Sequence, residues 1–183
     1  MMPIGPLMIE HRLIEKMIRV IGVELRRIEE KGSVNPEFVD VAVDFIRTYA
    51  DSCHHGKEEK ILFRDLKQKP LTPELERILG ELIEEHRKGR EVVEQLVRAK
   101  QQYLQGESRA VSLIIDGMRW LVDFYPKHIE KEDRHFFMPC MSYFTSEEKD
   151  AMLNEEMDFD RNFVHAKYKS VVQNAEPASG SKQ

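Results

Sequence analysis

The chain has 183 residues, a formal net charge of -5 and a mean hydropathy of -0.52, with 33% of residues charged. That length supports one domain of ordinary size with its own core. The acidic balance argues against a nucleic-acid partner, which needs a basic surface, and no run approaches the roughly 18 apolar residues of a membrane span. The opening MMPIGPLMIEHR lacks the basic region and cleavage site of a signal peptide. The two cysteines, Cys53 and Cys140, make no disulfide framework, so a cytoplasmic address is the default expectation.

Helical period dominates and no strand alternation is visible. The first helix starts near Pro6, with Met8, His11, Ile14, Ile18, Ile21 and Leu25 on one apolar stripe, and ends at Lys31-Gly32. Asn35-Pro36-Glu37 is a cap, first-turn proline and acidic start for a second helix reaching Lys67. Thr72-Pro73 opens a third that runs to about Gln105. A fourth begins near Ser108 and stops around Met138-Pro139. Thr145-Ser146-Glu147-Glu148 signals a fifth, to about Gln173. The remainder, residues 174–183, has the composition of a disordered tail.

Short loops between long helices predict an all-α, up-down-up-down antiparallel four-helix bundle with an additional C-terminal helix. The expected division is one domain over residues 1–173, with the bundle at about 6–140 and the extra helix at about 145–173.

Two segments are near-copies: CHHGKEEKILF aligns with KHIEKEDRHFF, matching His54 to His128, Glu58 to Glu132 and Phe63 to Phe137. A histidine and a glutamate four residues apart share one helix face. HHGKEE offers two registers, and the α-helical wheel decides between them. Stepping back from His54 gives Ala50 and Ile46, whereas stepping back from His55 gives the charged Asp51 and Arg47. His54 and Glu58 therefore face the core, while His55 and Glu59 lean toward a flank. His86 extends the stripe of Leu79, Leu82 and Ile83 on the third helix, and His11 sits within the stripe of the first.

The resulting set is His11, His54, Glu58, His86, His128 and Glu132. Burying four imidazoles and two carboxylates without partners costs several kcal/mol, which a metal would offset. With no thiolates at ligand spacing, structural zinc sites are excluded, and imidazole with carboxylate suits iron, manganese or zinc. Two carboxylates shared between histidine groups suit a pair of metals. Ferritin-like sites carry Glu-x-x-His instead.

These motifs, with EEHRKGRE and IEHRLIE, resemble the hemerythrin-like family of HHE cation-binding domains over roughly residues 8 to 140. The resemblance implies two iron ions, oxo- or hydroxo-bridged, held in a four-helix bundle by the six residues above. Manganese and zinc stay open as alternatives. The oxygen-carrying members place two histidines in the third helix, spaced HxxxH, but here Leu82 and Arg90 flank His86. One metal is thus expected to lack a histidine, its shell completed by water or by another carboxylate such as Glu15 or Glu85, or left open.

Among the other residues, Glu59 and Asp133 are placed to accept hydrogen bonds from ligand imidazoles. His135 is expected on the core side, and His165 either on the surface or over the open end of the site. Cys53 is a small buried residue, a spare ligand or a redox-active thiol. Pro126 is expected to kink the fourth helix, and Gly56 and Gly89 to leave room for a ligand path. The function expected is binding or sensing of oxygen, nitric oxide or iron, with peroxide or nitric oxide reduction as the enzymatic alternative and metal-free helical interaction as a third. The partner is a small diatomic molecule or peroxide, and the fifth helix is a candidate homodimer surface.

Overall fold

The structure is a computed structural model that describes residues 2–175, with side chains described for residues 2–163. Helix α1 spans Ile4–Lys31 and closes at Gly32, whose N–H bonds the Ile28 carbonyl at 2.8 Å and whose φ of 65° turns the chain out of the helix. The Asn35 side chain accepts from the N–H groups of Glu37 and Phe38 ahead of Pro36, starting α2 (Pro36–Phe45). The same rod continues as two π-helical segments, Ile46–His55 and Glu58–Leu62, and ends in α3 (Phe63–Leu66). The Thr72 hydroxyl caps α4 (Pro73–Leu104) by accepting from the Leu75 N–H.

A short turn leads to α5 (Ala110–Lys131), which passes through Pro126 without interruption. A π-helical segment, Glu132–Phe136, and α6 (Phe137–Met141) complete that rod. It runs slightly past the expected stop, through Pro139 to Met141. Thr145 and Glu148 then form a reciprocal capping box for α7, Ser146–Ala175. Residues 176–183 of the expected tail, and the His165 side chain, lie outside what is described. The described residues contain no strand, and no helix among them is long and apolar enough to cross a membrane.

Connectivity explains why the predicted residues meet. Each histidine sits between about five and six helical turns from one end of its rod: His54 from Pro36, His86 from Leu104, His128 from Ala110 and His11 from Lys31. At about 1.5 Å per residue, rods alternating in direction bring all four to one level, roughly 30 Å from the same end of the bundle.

That level divides the interior. On one side lies an apolar cluster with Ile14, Ile18, Ile46, Leu96, Ile114 and Leu121; on the other, one with Leu7, Leu62, Phe63, Leu82, Phe136 and Phe137. Between them the interior is polar: His11, His54, His55, Glu58, His86, His128 and Glu132 are all at most 3% exposed.

The fifth rod, α7, covers the bundle. Met152 is buried and Phe159 packs on the second apolar cluster, while Met157 faces solvent. Gly56 serves this packing rather than a ligand path, since a Cβ there would meet Phe159 Cζ at 2.9 Å. Glu156 is buried beneath the helix with neither carboxylate oxygen hydrogen-bonded. Burial pushes its carboxyl up to about 8, against the pull of Lys57.

The folded state therefore holds a proton on Glu156 that the unfolded chain releases above about pH 4.5, so stability falls as pH rises toward 8. Glu156→Gln removes that dependence. Thermal denaturation should show the variant melting several degrees above the parent at pH 7–8, with the gain shrinking toward zero near pH 4.

Candidate metal centre

Each of the five histidines buried among the described residues anchors one ring nitrogen and leaves the other free. His11 Nδ1–H donates to Asp133 at 2.7 Å, His54 to Glu10 at 2.9 Å, His86 to Glu59 at 2.8 Å and His128 to Glu85 at 2.8 Å; His55 Nδ1 lies 3.4 Å from Asp51. Each carboxylate is held in turn by a cation: Asp133 by Arg12, Glu10 by Lys57, Asp51 and Glu59 by Arg90, and Glu85 by Lys131. This fixes ring orientation and leaves Nε2 as the inward atom, as metal-binding histidines require. The sequence expectation that Glu59 and Asp133 support the imidazoles is met in this geometry.

All five Nε2 atoms, and both oxygens of Glu58 and of Glu132, are buried without a hydrogen-bond partner. At about 1–3 kcal/mol for each buried polar group left unsatisfied, seven such side chains forfeit on the order of 10 kcal/mol. A whole domain's stability is about 5–15 kcal/mol. The donor set is chemically suited to cations that take imidazole and carboxylate, and such ions would satisfy every one of these atoms.

The donors fall into two groups within coordinating reach: His11, His54, Glu58 and Glu132, and His55, His86 and His128. The carboxylates face both. Glu58 points Oε1 toward His54 Nε2 at 3.6 Å and Oε2 toward His86 Nε2 at 3.5 Å. Glu132 points Oε2 toward His11 Nε2 at 3.1 Å and Oε1 toward His128 Nε2 at 3.3 Å. One oxygen of each carboxylate on each side is the arrangement that bridges two ions.

Charge follows this layout. Burial opposes charge on His11, yet Asp133 and Glu132 raise it to about 9, marking a place where positive charge is favoured. Burial and neighbouring imidazoles push His54 well down and His55 to about 3, keeping both imidazoles neutral. Burial beside Glu132 raises Glu58, so added positive charge is needed for both carboxylates to ionise together.

The six residues singled out from sequence are all brought together, but the sequence reading of His55 requires correction. His55 is 3% exposed and its ring stacks on His86 at 3.8 Å between centroids. The cause is the π-helical segment Ile46–His55, whose i→i+5 bonding widens the turn and brings consecutive side chains closer in angle than the α-helical 100°. His54 and His55 can then both point inward. A run of adjacent histidines before the glutamate was the available signal, and an α-helical wheel discards one of them.

Nor do Glu15 or Glu85 complete the shell. Glu15 pairs with Arg12 at 3.2 Å, and Glu85 is the partner of His128 Nδ1. His135 is exposed rather than on the core side. Cys53 lies outside both histidine groups with its thiol 3.5 Å from Asp160, and burial pushes it up to about 12, so it is neither a nearby thiolate ligand nor a reactive nucleophile. Gly89 does border open space, in a cavity of about 310 Å³ lined also by Asp51, His55, His86, Arg90 and Tyr125.

Helical rods around a buried layer of imidazoles and carboxylates define a bundle protein with a candidate site for metal cations. The hemerythrin HHE cation binding domain family matches residues 2–161, and the chain belongs to that family. Comparisons with curated proteins and with solved structures give no significant match.

His55→Ala should weaken metal binding by at least about tenfold, the lower end of losses from disturbing the shell around a metal. Glu15→Ala should leave it unchanged. Competitive metal titration of the two variants checks this.

Proposed function

We propose that the protein holds two iron ions, bridged by Glu58 and Glu132, and uses them to bind or sense a small molecule such as oxygen or nitric oxide. His11 and His54 would serve one ion, and His55, His86 and His128 the other. The observation that carries the reading is that Glu58 and Glu132 each direct one oxygen to either histidine group, with all nine inward atoms lacking partners. Iron is favoured over manganese or zinc by membership of the hemerythrin HHE family, and imidazole with carboxylate accepts all three.

When bound, the metals would supply reversible coordination of a small ligand. The chain's own contribution is asymmetry. One histidine group has three imidazoles and the other two, so the His11/His54 position has a donor fewer and is the natural place for an exogenous ligand. His55 restores the five-histidine count, so the proposed site is not one imidazole short and reversible binding remains the leading reading.

A reductive enzyme at the same centre is the second reading. The cavity beside His55 and His86 favours it to the extent that it would let a neutral oxidant approach. Its charged walls cancel in pairs, Arg47 with Glu94 and Arg90 with Asp51, so it does not select an anion.

Metal analysis and electronic spectroscopy of anaerobically purified protein test the proposal. About two irons per chain should be found, with charge-transfer absorption that changes reversibly on exposure to oxygen or nitric oxide. Glu58→Ala or Glu132→Ala should abolish the paired centre. A metal-free protein of undiminished stability would sink the proposal, and steady turnover of peroxide or nitric oxide would favour the enzyme.

A further inference from the structure

Four of the five carboxylates behind the histidines are held by cations that reach solvent: Arg12, Arg90 and Lys131 are 53%, 42% and 26% exposed. Glu10, behind His54, is different. Its partner Lys57 is wholly buried. A buried ammonium needs full hydrogen bonding to offset its lost hydration. Its second partner comes from the fifth rod, where Asp160 Oδ1 lies 2.8 Å from Lys57 Nζ. The Cys53 thiol also donates to Asp160, at 3.5 Å.

Glu10, Cys53 and Asp160 lie close enough together to suggest one more metal site, but the Lys57 ammonium already sits between the two carboxylates as their cation. The chain of contacts instead runs one way. Asp160 fixes Lys57, Lys57 fixes one oxygen of Glu10, and the other Glu10 oxygen accepts from His54 Nδ1–H at 2.9 Å.

We propose that Lys57 and Asp160 are positioning residues for the centre: the contact from α7 through Lys57 and Glu10 orients His54, so docking of α7 and metal occupancy of the His11/His54 position are linked. The linkage half rests on the two-metal reading above; the positioning half does not. Coupling of two equilibria is reciprocal. Metal at that position therefore tightens the helix, and a partner that drew α7 away would loosen that metal. The position affected is the one with a donor fewer, so the same contact would tune the ligand-binding ion and leave the three-histidine ion alone.

The test uses the full chain in two arms. In the first, nitrogen-15 spectra of the histidine rings are recorded without metal. The parent should show His54 with its proton on Nδ1. Asp160→Asn, which keeps shape and removes charge, should shift the His54 signals and leave those of His86 and His128 in place. Asp160→Glu, still able to reach Lys57, should restore the parent pattern. Glu156→Gln, on the same helix but without a hydrogen bond to Lys57, should leave His54 unchanged.

In the second arm, Fe(II) binding and amide hydrogen exchange over residues 147–163 are measured. Glu10→Gln should cost about 10–100-fold in affinity at one position only, and Asp160→Asn should cost less, at that same position. Metal should slow exchange in the parent but not in Asp160→Asn. His54 signals unchanged in a folded Asp160→Asn variant would overturn the positioning role. Equal weakening of both metals, or exchange indifferent to metal, would overturn the linkage. Failure of the parent to bind iron would remove the two-metal reading and the linkage, with the first arm still deciding the positioning.

Discussion

The structure depends on one constraint: a layer of five imidazoles and two carboxylates lies between two buried apolar clusters. Hydrophobic burial on either side brings the rods together, but it also strips water from groups that cannot satisfy one another with good geometry. The chain meets part of that cost itself. Every Nδ1 faces a carboxylate, and every carboxylate a lysine or arginine, so the rim of the layer is close to neutral. The inward Nε2 atoms and carboxylate oxygens have no partner in the protein, and cations of the proposed centre would satisfy them.

Much of this was legible in the sequence because it obeys α-helical arithmetic. The caps at Asn35, Thr72 and Thr145, the apolar stripe of α1 and the four-residue spacing of His54–Glu58 and His128–Glu132 all read directly from residue order. The similar distances of the histidines from the bundle end follow from helix lengths alone. Family resemblance then sorted the six residues into one site, and the hemerythrin HHE match over residues 2–161 agrees with it.

What was not legible lies where that arithmetic fails. The π-helical turns at Ile46–His55, Glu58–Leu62 and Glu132–Phe136 flank or carry donors, and a wheel drawn at 100° sends His55 outward and His135 inward. Both assignments are reversed in the structure for one reason. Widened turns are rare within α-helices, and a wheel drawn for regular helix does not anticipate them. The Lys57–Asp160 contact was equally hidden, because it joins residues 103 apart that no motif connects. Local irregularity here coincides with the chemistry, as it often does where a backbone must aim side chains that regular structure would misdirect.

If His55, and not a carboxylate or water, completes a two-ion donor set, anomalous diffraction at the iron edge from iron-loaded crystals shows it most directly. Two peaks are predicted, one reached by the Nε2 atoms of His11 and His54 and the other by those of His55, His86 and His128, with Glu58 and Glu132 spanning both. A single peak, or two peaks with His55 Nε2 outside bonding distance of either, would contradict that donor set.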